Sequence, residues 1–175
     1  MRGTKHFVDH EEQGVFDGEV LWSTNFQTQK AEKSDKESTD NMKIQSQDFP
    51  DAFFNYKEKG YKIELIGKEP QEGTECFKVK LTKDNMMIDG EEVPNVSFYY
   101  FDTENYVPIA VQSEMRSGQM KGQMSESKMS DYQEVDGLYF PFSMTQGLKG
   151  QPGQAIVFDE IVLNPEVDAS AFKFP

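Results

Sequence analysis

Glu75-Cys-Phe-Lys-Val-Lys-Leu-Thr-Lys83 alternates with a period of two. Phe77, Val79 and Leu81 point one way and Lys78 and Lys80 the other, the pattern of a strand with one buried and one wet face. Before it, Tyr61-Lys-Ile-Glu-Leu-Ile-Gly67 sets Tyr61, Ile63 and Leu65 on one face. Glu69-Pro-Gln-Glu-Gly-Thr74 supplies the connection, with Gly73 available for positive φ. Downstream, Val96–Phe101 and Val107–Gln112 flank the connection 102–106, and Pro108 predicts an edge strand or a bulge there. Met124–Val135 and Leu138–Thr145 are joined by Asp136-Gly137, a tight-hairpin signal. A last strand is expected from about Ala155 to Leu163, where Asn164-Pro165 stops it. Asp17-Gly18 marks a comparable hairpin leading into Glu19-Val-Leu-Trp22. The chain reads as a mainly antiparallel strand meander with little helix.

Gln27 to Gln47 breaks that pattern: it is dense in Lys, Asp, Glu, Ser and Gln, with Met42 and Ile44 its large apolar residues. For Gln27 to Asp40 the composition points to a solvated loop or disordered insertion. A short helix is expected next. Pro50 suits its first turn, Asp51 its positive end, Lys57 and Lys59 its negative end, and Gly60 its cap. Ala52, Phe53 and Tyr56 would share one face and could lie against the open side of a sheet.

At 175 residues a single domain is the simplest organisation. Eighteen basic against 31 acidic residues, a net charge of −13, argue against nucleic acid as a partner. A hydrophobic share of 36% raises the question of disorder, and 14 Phe, 7 Tyr and 1 Trp answer it with material for a core or an apolar cavity. Cys76 is the single cysteine, so neither an intramolecular disulfide nor a cysteine-only zinc site can form. No segment approaches the roughly 20 apolar residues that cross a bilayer as a helix.

Candidate chemistry is sparse. His6 and His10 have i, i+4 spacing, yet His-Phe-Val-Asp-His lacks the order of a zinc hydrolase, and a frayed polar end is the plainer reading. With both histidines here, a Ser-His-Asp triad elsewhere is impossible. Carboxylates sit mostly at turns (Asp17, Asp89, Asp102, Asp136), so an enzyme would need two inward acids facing each other. No metal and no cofactor are expected. Met115, Met120, Met124 and Met129 crowd one segment, which suits core filling or an adaptable apolar surface. Trp22, Phe98, Tyr100, Phe140, Phe142 and Phe158 are expected on one side of a curved sheet, to be covered by helices, another sheet or a lipid.

Phe16-Asp-Gly-Glu-Val-Leu-Trp22 resembles the Asp-Gly-x-x-x-Trp hairpin of the periplasmic outer-membrane lipoprotein carrier (LolA-like) superfamily. Tyr56–Glu69 with Glu72–Leu81, Tyr99–Ile109, Ser130–Pro141 and Ile161–Pro175 are similar, in collinear order, to the lipoprotein-sorting proteins of Bacteroidetes-type bacteria. The resemblance implies one domain over 1–175: a curved antiparallel sheet forming an incomplete β-barrel, a poorly defined segment 1–15, and a helical lid or insertion at 27–60. It implies a non-enzymatic periplasmic carrier that shelters lipoprotein acyl chains or another lipid. A membrane-protein donor or acceptor is implied as partner. Trp22, Phe98, Tyr100, Phe140, Phe142 and Phe158 would line the cavity, and Phe53 and Tyr56 its lid. Family members carry a helix and several strands before the Asp-Gly hairpin, where this chain has about 16 residues. That departure implies an open sheet edge for a partner or a second copy. The rival expectation is an envelope interaction or sensor domain with its core filled by its own side chains.

Overall fold

The computed structural model describes the backbone of residues 2–6, 11–25 and 27–175, and side chains from Gln13 onward except Phe26. The His6/His10 pair lies outside the described side chains. The chain divides into two compact units: Met1–Lys59 with Met86–Glu92 and Glu166–Pro175, and Gly60–Asn85 with Val93–Pro165.

The first unit carries a four-stranded antiparallel sheet, β1 (Arg2–His6), β2 (Glu11–Phe16), β3 (Leu21–Thr24) and β4 (Ala31–Lys33), in sequence order. The β2–β3 connection is the expected Asp-Gly turn. The Asp17 carboxylate accepts from the backbone N–H of Glu19 at 2.8 Å and of Val20 at 2.7 Å, and Gly18 takes φ +108°. Those backbone bonds hold the Asp17 carboxyl below its usual range. Val15, Phe16, Trp22 and Ala52 are buried in this unit, with Phe174 set edge-on to Trp22 at 6.1 Å.

The composition of Gln27 to Asp40 points to a loop, but a helix, α1 (Lys36–Ser46), begins inside it, within the segment 27–60 where the resemblance implies a helical lid or insertion. Asp35 caps it, accepting from the Ser38 N–H at 2.7 Å. Its apolar content is too small to anchor it, and two polar clamps substitute for an apolar stripe. Asn41, buried, donates to the Met87 carbonyl at 2.6 Å and accepts from its N–H at 3.1 Å. The two oxygens of Glu37 accept from the N–H groups of Asp89 and Gly90 at 2.9 and 2.8 Å. The helix expected from Pro50 is instead a run of turns over 52–60. Asp51 accepts from the Phe53 N–H at 2.7 Å and Asn55 takes φ +51°, both of which compete with a continuing helix.

The second unit is a seven-stranded antiparallel sheet: β5 (Lys62–Gln71), β6 (Thr74–Ile88), β7 (Glu91–Asp102), β8 (Pro108–Glu114), β9 (Met124–Val135), β10 (Leu138–Leu148) and β11 (Gln154–Val157). Each strand pairs with its sequence neighbour and the sheet does not close, so β5 and β11 are its edges. This is the mainly β, unclosed-barrel architecture expected, with a short helix. The β6–β7 hairpin is long enough that its tip, 86–92, belongs to the first unit.

The β5–β6 turn is tighter than expected, Glu72-Gly73 alone, with Glu69 and Pro70 drawn into β5. An edge strand tolerates the missing N–H of Pro70. Pro108 marks a bulge, where the register slips between Tyr100/Ala110 and Phe101/Pro108. The last strand is shorter than expected, ending at Val157 rather than Leu163.

Candidate functional site

Register decides what each sheet face carries. Tyr100 pairs with Ala110, Ala110 with Lys128, and Lys128 with Thr145, so these four side chains share one face. Phe98 and Tyr100 therefore stand on the face opposite Phe140 and Phe142, which correct the expectation that all would face one side. Alternation fixes faces within a strand; the pairing of β7 through β10 fixes them between strands.

The face that carries Tyr100 is buried and polar. Its apolar part is the cluster Cys76, Tyr100 and Ala110, with Phe98 and Ile109 packed against it. The bulge opposite Tyr100 brings Ile109 and Ala110 to the cluster together. From there a chain of hydrogen bonds crosses the strands. Lys78 donates to Glu69 at 2.8 Å and stands over the Phe98 and Tyr100 rings at 5.2 and 5.4 Å. The Tyr100 hydroxyl donates to Gln112 at 2.9 Å and lies 3.3 Å from Glu69. Gln112 donates to Glu126 at 2.7 Å and accepts from Lys149 at 3.0 Å. Lys128 closes the row, 3.5 Å from Glu126 and hydrogen-bonded to Glu72.

The electrostatics follow from these pairs. The Lys78 hydrogen bond holds the Glu69 carboxyl below its usual range, and the same bond raises Lys78. Burial pushes the Tyr100 phenol up, opposed by Lys78. The Glu72 bond raises Lys128. Two inward acids, Glu69 and Glu126, do share the face, yet each is bonded to a lysine rather than to the other. The lysine bond keeps Glu69 ionised, the reverse of what a general acid needs. Among the described residues no cluster of His, Cys, Asp and Glu could hold a metal ion.

Two cavities open on this face. The larger, about 1030 Å³, lies beside the β5–β6 turn, the β7–β8 connection and the 148–153 loop. Val107, Ile109, Ala110, Met129 and Pro152 give it apolar wall, and Thr74, Asn105, Lys128, Ser130 and Thr145 give it polar wall. Tyr132, also on the wall, donates to the Pro108 carbonyl, and burial pushes its phenol up to about 12. Two glycines let the 148–153 loop close on the sheet. A Cβ on Gly153 would sit 2.6 Å from the Gln146 carbonyl oxygen, and one on Gly147 would sit 2.8 Å from the Gly153 Cα. The smaller cavity, about 310 Å³, lies towards the other end of the face, by Val96, Phe98 and Met124.

The residues expected to line a cavity are distributed as follows. Phe98 lines the smaller cavity, and Tyr100 is fully buried between the two. Phe140 and Phe142 are half-buried on the opposite face, and Phe158, 37% exposed, donates its N–H to the Phe142 carbonyl. Trp22 is buried in the first unit, where Phe53 and Tyr56 are half-buried. Sequence reading missed Gln112, Glu126 and Lys128. Their signal was present in Met124-Ser-Glu-Ser-Lys-Met129, a strand without apolar alternation, which is what a polar inward face demands.

No protein-family model and no curated protein matches the chain in sequence. Solved structures match it in fold. A DUF1329 family protein from Desulfovibrio piger superposes with a TM-score of 0.52 at 13% identity, covering 98% of this chain and 82% of the other. A LolA superfamily protein from Nitrosomonas europaea gives a TM-score of 0.52 at 12% identity, covering 97% and 73%. At these identities the likeness is one of fold: the chain has a LolA-like fold.

Proposed function

We propose that this LolA-like chain is a non-enzymatic lipid-binding protein of the cell envelope, a periplasmic carrier that shelters the acyl chains of lipoproteins. The observation that carries the reading is the cavity of about 1030 Å³ on the buried face of an unclosed sheet. Its volume stands at the upper end of the roughly 300–1,000 Å³ typical of small-molecule sites. Its wall is part apolar and part polar, which suits an amphiphile with a chain and a head. Each acyl CH₂ withdrawn from water contributes about 0.8 kcal/mol, so partial burial of one chain gives useful reversible affinity. A membrane-protein donor and acceptor would load and unload it.

Native mass spectrometry with a triacylated lipopeptide and the same peptide without acyl groups tests the proposal. Retention of the acylated form alone is the expected result, weakened by Ile109→Asp in the cavity wall. Equal retention of both peptides, or of neither, overturns it. A second reading, an envelope protein-interaction domain, draws on the Tyr100–Gln112–Glu126 row, which fills the middle of the face with the protein's own side chains. Retention of neither peptide favours that reading.

A further inference from the structure

The larger cavity has one cation on its wall, Lys128, and two carboxylates, Glu72 and Asp102. Glu72 belongs to the β5–β6 turn, and β7 and β8 lie between that turn and β9 in the sheet. The turn therefore leans across the face, and the Glu72 carboxylate accepts a hydrogen bond from the Lys128 ammonium. Glu126 stands 3.5 Å from the same ammonium, so the charge of Lys128 is already matched from within the chain. The Glu72 bond raises Lys128, which keeps its charge throughout the neutral range. Asp102 accepts from the Glu104 N–H at 2.7 Å and from the Asn105 amide at 2.9 Å, and these bonds hold its carboxyl below the usual range. The two wall phenols donate to the protein itself, Tyr132 to the Pro108 carbonyl and Tyr139 to Glu134 at 3.3 Å.

We infer that this cavity takes acyl chains whose head is uncharged, an ester or amide of the acylglycerol type, and that Glu72 is the specificity-determining residue that turns anionic amphiphiles away. The inference rests on the lipid-binding reading above and deepens it with a head-group class. An anionic head has two courses at this wall, and both are unfavourable. It can stand beside Glu72 and Asp102 as a third negative charge, or it can take Lys128 and leave Glu72 unmatched next to itself. Discrimination thus comes from a repulsive element placed at the site rather than from an added attraction. An ester or amide carbonyl needs a neutral donor alone, and Thr74 and Thr145 bring hydroxyls of that kind to the wall. Ile109 and Met129 border them and take the chain.

Calorimetric titration of the full chain at neutral pH with monodecanoylglycerol and with decanoate, which share one acyl chain, tests the inference. Monodecanoylglycerol is expected to bind about tenfold more tightly than decanoate, or better. Glu72→Gln, at an exposed turn position, keeps the side chain's length, removes its charge and releases Lys128. It should tighten decanoate by about fivefold or more and leave monodecanoylglycerol within about twofold. Far-UV circular dichroism checks the fold of the variant, and the comparison of the two ligands on the native chain needs no variant. Displacement of bound monodecanoylglycerol by the triacylated lipopeptide identifies the glyceryl end of a lipoprotein as the source of the head, and no displacement a free acylglycerol; both uphold an uncharged head. Equal binding of the two ligands by the native chain overturns the inference while leaving the lipid-binding reading intact. A folded Glu72→Gln variant that binds decanoate no better, or tightens both ligands alike, also overturns it. Failure of both ligands to bind the native chain overturns it and counts against the broader reading as well.

Discussion

Gln112→Leu is expected to destabilise the second unit far more than Tyr100→Phe, although Tyr100 is the larger buried side chain. Gln112 is 2% exposed and takes part in three hydrogen bonds, from Tyr100, from Lys149 and to Glu126. Leucine fills the space and makes none of them. Lys149 is exposed and reaches water. Glu126, 9% exposed, keeps one longer contact, Lys128 at 3.5 Å. A lost bond to a charged group removes about 1.5–3 kcal/mol and a neutral one about 1 kcal/mol, so with the apolar gain of leucine the net loss is about 2–3 kcal/mol. Tyr100→Phe removes one hydroxyl and leaves the Gln112 oxygen its bond from Lys149 at 3.0 Å, so its loss is about 1 kcal/mol. The double variant should cost less than the two singles together, because the Tyr100 hydroxyl has already lost Gln112. Urea unfolding read by the reactivity of Cys76 suits this test. The thiol is fully buried beside Tyr100, and burial pushes its pKa up, so it reacts on opening. Trp22, in the first unit, reports that unit separately by fluorescence. Equal losses from the two single variants, or a neutral Gln112→Leu, would refute the reasoning that the polar row holds these strands.

Gly153→Ala should cost about 1–3 kcal/mol in thermal unfolding, because its Cβ meets the Gln146 backbone at 2.6 Å, whereas alanine at the open Gly14 should be near neutral to packing. Asn41→Ala should raise hydrogen exchange at the Met87 amide by at least tenfold, since it removes both bonds to that residue; unchanged exchange would show that α1 is held otherwise. For the Glu69–Lys78 pair, the folded Glu69 value lies below its ordinary 4.5 and the folded Lys78 value above its ordinary 10.5. The contribution is therefore complete between about pH 6 and 9, lost as pH falls through the depressed Glu69 value, and lost again as pH rises through the raised Lys78 value. The stability difference between native chain and Glu69→Gln, measured by urea unfolding across pH, should be flat in the middle and shrink on both sides. Tyr132 should ionise near pH 12 in an ultraviolet titration, and a Tyr132→Phe difference spectrum identifies it.

The hairpins were legible because each depends on neighbours in sequence. Asp17-Gly18 and Asp136-Gly137 take positive-φ or side-chain-bonded turns that only a few residue types favour, and they join the strands expected on either side. Helix α1 was legible through the resemblance, which implied a helical lid or insertion at 27–60, but not in the local pattern, since Glu37 and Asn41 find their partners at Gly90 and Met87, about fifty positions away. The expected helix from Pro50 failed for a local reason, the competing turn bonds of Asp51 and the φ of Asn55.

By itself the sequence determined the strand meander, the turns and the alternation within each strand, because those properties have a range of two to four residues. Tertiary structure decided which faces were joined. The pairing from Tyr100 through Ala110 and Lys128 to Thr145 separates Phe98 from Phe140 and Phe142, and it gathers Gln112 and Glu126 into one buried row, with the partly exposed Glu69 at its Tyr100 end. A one-residue change of register would reverse that assignment without altering a single local preference, so no local pattern could have specified it.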